Sequence, residues 1–145
     1  MLKSLSVKAG LLATLWMGMT ISAYAAPTGT DVLNAYMQAW SEKSPEQRQK
    51  LLGKIVTDSV RYSDQFNQVK SKAALSEMIG ALQGQIPGLR GEIIGPVRFL
   101  ETAALFEWKI YNEAGEVLFY GVDAVQFAED GRLQRIDGFM NVGLK

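Results

Sequence analysis

Apolar residues recur with two different periods along this chain, three to four positions apart in its first half and two apart in its second. Thr30 and Asp31 offer a helix cap, and Val32, Leu33, Tyr36, Met37 and Trp40 follow on one helical face, so a first helix is predicted to about Glu42. Ser44-Pro45-Glu46-Gln47 has the form of a capping box with proline at the first helical position. Leu51, Leu52, Ile55 and Val56 give that second helix its apolar face. Val60 and Tyr62, set among polar residues, predict a short extended segment ending at Asp64. Ser71 caps a third helix that turns Ala74, Leu75, Met78, Ile79 and Leu82 inward until Gly84 and Pro87-Gly88 stop it.

From Leu89 onward the alternation predicts strands over residues 91–100, 103–111, 117–127 and 132–140. The connections at 101–102, 112–116 and 128–131 are short enough for antiparallel hairpins. Helices followed by a meander define an α+β fold: three N-terminal helices packed in a curved antiparallel sheet of four to six strands, with Gly91, Gly95 and Gly121 as places where the sheet bends into a half-open cone.

The first 25 residues describe an address. Lys3 and Lys8 stand without acids, residues 9–22 are almost wholly apolar, and Ala23-Tyr24-Ala25 has the small-x-small form of a signal peptidase site. The expectation is a secretory signal peptide over 1–25 and a single domain over 26–145, delivered to the periplasm or outside the cell and free of the membrane after cleavage. Without Lys3 and Lys8 the chain carries two net negative charges, with bases and acids interleaved, which argues against a nucleic-acid partner. Cysteine and histidine are both absent, which removes thiol chemistry, Ser-His nucleophiles and the common zinc sites. Phosphate-cradling glycine loops and clustered Asp-x-Asp metal loops are missing too, so no cofactor and no metal is expected. Acid-base work would fall to Asp, Glu, Tyr or Lys.

Asp123 is the most informative of these. Strand alternation puts it on one face with Phe119, Val125 and Phe127, where an unpaired carboxylate costs several kcal/mol or takes up a proton. It is either a functional acid or a buried acid held by Arg132, Arg135 or a backbone donor. Tyr36 lies on the buried stripe of the first helix, as core or as a cavity hydroxyl, and Asp64 is a turn residue or a base. Trp40, Phe119, Val125 and Phe127 are the expected pocket walls. Further along, Phe106, Trp108 and Ile110 share one face, whereas Leu105, Glu107 and Lys109 share the other, which reads as solvent. Arg98 and Arg135 are either holders of an anionic ligand or, as is commoner for single strand arginines, solvated or structurally paired.

The order of parts resembles the nuclear transport factor 2-like cone, which includes ketosteroid isomerases and SnoaL-like polyketide cyclases. The resemblance rests on Tyr36-Met37-Gln38-Ala39-Trp40, the segment from Thr57 to Asp64, Lys72-Ala73-Ala74-Leu75, and Gly121-Val122-Asp123 through Phe127, Asp130-Gly131 and Ile136. It implies Tyr36 as an oxyanion donor, Asp64 as a base and Asp123 as a strand acid that stays protonated. Gln65 stands where the isomerases commonly have proline. Two functions follow: a module that binds a small apolar ligand in its cone, or an isomerase- or cyclase-like enzyme moving a proton on a carbonyl compound with Asp64, Asp123 and Tyr36. A homodimer through the outer sheet face, with Tyr120, Val122 and Ala124 at the interface, is the expected assembly.

Overall fold

The computed structural model describes residues 28–141, and the expected signal segment lies outside them. Helix α1 (Gly29–Ser41) begins two residues earlier than the apolar pattern indicates. Thr28 is its cap: the Thr28 hydroxyl accepts from Asp31 N at 3.2 Å and the Asp31 carboxylate accepts from Thr28 N at 2.9 Å. Thr30 and Asp31 therefore sit inside the first turn, because it is Asp31 as the third helical residue that closes the reciprocal box. Helix α2 (Pro45–Ile55) starts at Ser44, whose hydroxyl accepts from Gln47 N. Helix α3 (Lys72–Gln85) starts at Ser71 and runs through Gly84 to stop just before Ile86-Pro87.

The strands are β1 (Val56–Ser63), β2 (Gln68–Val69), β3 (Arg90–Phe99), β4 (Ala103–Tyr111), β5 (Val117–Phe127) and β6 (Leu133–Met140). They form one sheet in the order β2-β1-β6-β5-β4-β3. All pairs are antiparallel except β1 with β6, which run parallel. Hairpin turns force only consecutive strands to alternate in direction. β1 and β6 are joined through the rest of the domain, so their direction is set by packing. Gly95, with φ of +69°, sits inside an interruption of the β3–β4 register between Ile94 and Arg98, a bulge that bends the strand as expected.

The helices fill the concave face. Leu33, Tyr36 and Met37 of α1 join Leu52, Leu75 and Ile79 of the other helices and Phe106, Val125, Leu133 and Ile136 of the sheet in one core. Where the three helices meet, the Arg48 guanidinium is buried without a carboxylate partner among the described residues. Its Nε donates to the Ser76 carbonyl at 2.9 Å and its Nη1 to the Glu42 carbonyl at 2.7 Å. Glu42 is the C-cap of α1, so the cation meets the negative end of that helix and ties α1, α2 and α3 together.

Candidate functional site

Between α1, α3 and the inner sheet face lies a cavity of about 700 Å³. The cone is open rather than filled by its methionines: Met37 and Met78 form part of the wall with Leu82, Ile86, Leu89 and Ile110. Polar atoms converge on one region of this apolar wall, supplied by Tyr36, Tyr62, Asp64 and Asp123, with the indoles of Trp40 and Trp108 beside them. Phe66 and Phe119, 79% and 37% exposed, mark where the cavity meets solvent.

Asp123 lies mid-strand in β5 and is 4% exposed. Neither Arg132 nor Arg135 reaches it, since those cations pair with Asp130 and Asp137 at 2.8 and 2.7 Å. Its partner is instead Trp108, whose indole Nε1 donates to Asp123 Oδ1 at 2.7 Å. Two glycines permit this. Gly121 is the register partner of Trp108, and a Cβ there would lie 2.6 Å from Trp108 Cζ2 and press on the Phe139 carbonyl. Without that carbon the indole lies across β5 and reaches the carboxyl. Gly138 is the partner of Asp123 on β6, and a Cβ there would be 3.1 Å from Asp123 Oδ1 and 3.6 Å from the Tyr62 hydroxyl. The missing side chain keeps the space between those two groups clear.

Burial pushes the Asp123 carboxyl up to about 7, against the opposing effect of the Trp108 bond and the neighbouring Tyr36 hydroxyl, and with the help of like charge on Asp64 and Asp137. The Tyr36 ring is 1% exposed and its hydroxyl has no partner at hydrogen-bond distance among the described residues. Burial first, and the adjacent Asp123 second, hold that hydroxyl well above the ordinary tyrosine range. Tyr36 also packs edge-on against Trp40 and Phe106, so both the core reading and the cavity reading of this residue apply.

Asp64 follows the end of β1 and organises a turn. Its Oδ1 accepts from Phe66 N at 2.7 Å and Asn67 N at 2.6 Å, and its Oδ2 accepts from the Tyr62 hydroxyl at 2.7 Å. It is thus a turn residue that also lines the cavity. Gln65, at the position where the resemblance leads one to expect proline, fastens the turn to the end of β6: its Nε2 donates to the Met140 carbonyl and its Oε1 accepts from Met140 N, both at 3.1 Å.

Tyr36, Asp64, Asp123, Trp40 and Phe119 are therefore brought together around one cavity. Val125 and Phe127 are not. Val125 is fully packed in the core, and Phe127 sits near the start of α1, where a Cβ on Gly29 would be 3.5 Å from its ring. They share a strand face with Asp123, but β5 is eleven residues long and the cavity touches only its Phe119–Asp123 stretch. Glu107 faces away from the cavity, but its side chain is only 12% exposed, paired with Arg98 at 3.4 Å rather than free in solvent. Sequence alone does not single out Tyr62, and it marks Trp108 as a large aromatic that could line the cone but not as the donor to Asp123. The signal for Tyr62 was its position two residues before Asp64, on the same side of an extended segment. Among the described residues no three carboxylates gather as metal ligands, and the cavity wall carries no cation.

This architecture is similar to that of a candidate isomerase of the SnoaL-like family from Agrobacterium tumefaciens, 25% identical, over 79% of this chain and 97% of that one at a TM-score of 0.74. The chain has the fold of the NTF2-like, SnoaL-like proteins. A candidate polyketide cyclase from Sinorhizobium meliloti shares the NTF2-like fold at 16% identity and a TM-score of 0.60, covering 74% of this chain and 93% of its own. An NTF2-like protein of unknown function from Exiguobacterium does so at 13% identity and 0.62, covering 77% and 99%. At those identities the likeness speaks for the fold alone. No sequence-family model matches the chain, and no curated protein sequence does.

Proposed function

We propose that this NTF2-like domain binds a small, neutral, largely apolar carbonyl compound in its cone. The observation that carries this is the buried Tyr36 hydroxyl, without a partner at hydrogen-bond distance among the described residues, beside Asp123 in a largely apolar cavity. A buried donor without an acceptor costs free energy that a ligand oxygen recovers. The absence of any cation from the wall weighs against an anionic ligand. Trp40 and Trp108 both line the cavity, so quenching of tryptophan fluorescence by 1-tetralone is a direct assay. Saturable quenching that weakens about tenfold in Tyr36→Phe is the expected result. Unsaturable quenching, or equal affinity in the variant, rejects the reading.

A second reading, proton transfer on that carbonyl compound, is favoured by Asp123 titrating near neutrality, where a carboxyl both gives and takes a proton. The relatives described as an isomerase and a cyclase are consistent with it. Exchange of the α-protons of 1-tetralone with deuterated water, abolished by Asp123→Asn, tests it.

Export and self-association complete the proposal. The basic-apolar-small pattern of residues 1–25 supports cleavage after Ala25, which N-terminal sequencing of the mature protein checks. On the sheet face away from the helices, Val122 and Ala124 stand beside Phe139 and Leu105, which are 52% and 38% exposed. A second copy covering that face is the proposed dimer, to be read by sedimentation.

A further inference from the structure

We propose that Tyr62 faces the ligand as a hydrogen-bond acceptor, its polarity set by Asp64, so that the site selects compounds carrying a hydroxyl as well as a carbonyl. This rests on the ligand-binding reading above and adds a chemical requirement to it. A tyrosine hydroxyl has one proton to donate and lone pairs with which to accept. Tyr62 gives its proton to Asp64 Oδ2 at 2.7 Å, which leaves only lone pairs for the cavity it lines.

Asp64 cannot return the favour. Every group around it is a donor: Phe66 N, Asn67 N and the Asn67 amide all give hydrogen bonds to it, along with Tyr62. Both of its oxygens are therefore acceptors, and the backbone bonds of the turn fix which oxygen faces the tyrosine. Asp64 acts through Tyr62 as a positioning residue, and its own lone pairs are largely engaged in the turn.

The opposite polarity is available nearby. The Tyr36 hydroxyl lies beside Asp123 without a partner at hydrogen-bond distance among the described residues, so a carbonyl oxygen that comes within reach can take its proton, and a hydroxyl fits against Tyr62. The two halves of the site are close. The place a Gly138 Cβ would occupy is 3.1 Å from Asp123 Oδ1 and 3.6 Å from the Tyr62 hydroxyl, so those atoms are no farther apart than the two distances laid end to end. A bicyclic hydroxy-ketone is of the size to span from one polarity to the other within a cavity of about 700 Å³.

The test compares 4-hydroxy-1-tetralone with 1-tetralone by tryptophan quenching. The hydroxy-ketone is expected to bind the unmodified protein about tenfold more tightly, and Tyr62→Phe to bring the two affinities together. Asp64→Asn gives the sharper result. Its carbonyl oxygen keeps the turn, its amide nitrogen faces Tyr62 as a donor, and the tyrosine must then turn its proton into the cavity, so 4-methoxy-1-tetralone, whose ether oxygen accepts but cannot donate, binds the variant more tightly than the unmodified protein. Equal binding of the two ketones to the unmodified protein, a preference unchanged in Tyr62→Phe, or no gain for the methoxy-ketone in Asp64→Asn overturns the inference and leaves the ligand site standing. Binding of neither ketone overturns the ligand-site reading and this inference with it.

Discussion

Replacing Asp123 with asparagine is expected to stabilise the protein at alkaline pH and to change little at acid pH. The carboxyl titrates at about 7 in the folded state against an ordinary value of 3.8, chiefly because burial penalises its charge. A raised acid contributes its full stability below the ordinary value, where both states are protonated. That stability is lost as pH rises to 7, because the unfolded chain ionises first. At 1.36 kcal/mol per unit, the shift from 3.8 to about 7 amounts to about 4 kcal/mol. Asparagine keeps an oxygen to accept from Trp108 and has no proton to lose. The stability difference between variant and parent, from urea unfolding at a series of pH values between about 4 and 8, should therefore grow in favour of the variant by about 4 kcal/mol. Other carboxylates titrate equally in both proteins and cancel. A difference that stays constant with pH, or one that moves in favour of the parent as pH rises, refutes the argument that Asp123 is held protonated by burial.

Three further outcomes follow from the geometry. Trp108→Phe removes the donor that favours the charged form, so the carboxyl-carbon NMR titration of Asp123 should move to still higher pH, with a stability loss of about 1–3 kcal/mol at pH 5. Gly121→Ala places a carbon against the Trp108 ring and the Phe139 carbonyl, and should cost about 1–3 kcal/mol in urea unfolding while displacing the indole, seen as a shifted fluorescence maximum. Arg48→Met leaves the Glu42 and Ser76 carbonyls without their donor inside the helix junction, and a loss of about 2–4 kcal/mol is expected, only partly recovered by Arg48→Lys because an ammonium cannot hold both carbonyls in the same fork.

Local patterns carried much of this fold into view. The helical stripes, the Ser44 and Ser71 caps and the full extents of β4 and β5 follow from spacing and turn residues, because those signals lie within a few residues of one another. An acid at Asp123 among apolar neighbours is equally a local fact. What sits opposite it is not. Tyr111 pairs with Val117 at the hairpin end, and carried along unbroken that register would set Phe106 against Val122 and turn the aromatic face of β4 away from Asp123. A register shift between Ile110 and Tyr111 moves the pairing by one residue, so Phe106 meets Asp123 and Trp108 lies over Gly121. Because side chains alternate with period two, that single step decides which face shares the cavity, and no periodicity within either strand encodes it. The parallel pairing of β1 with β6 is of the same kind: it brings Tyr62 and Asp64 to Gly138, more than seventy positions away in sequence, and so beside Asp123. The chain states which residues prefer burial; only packing the two ends of the domain against each other decides which buried polar groups meet.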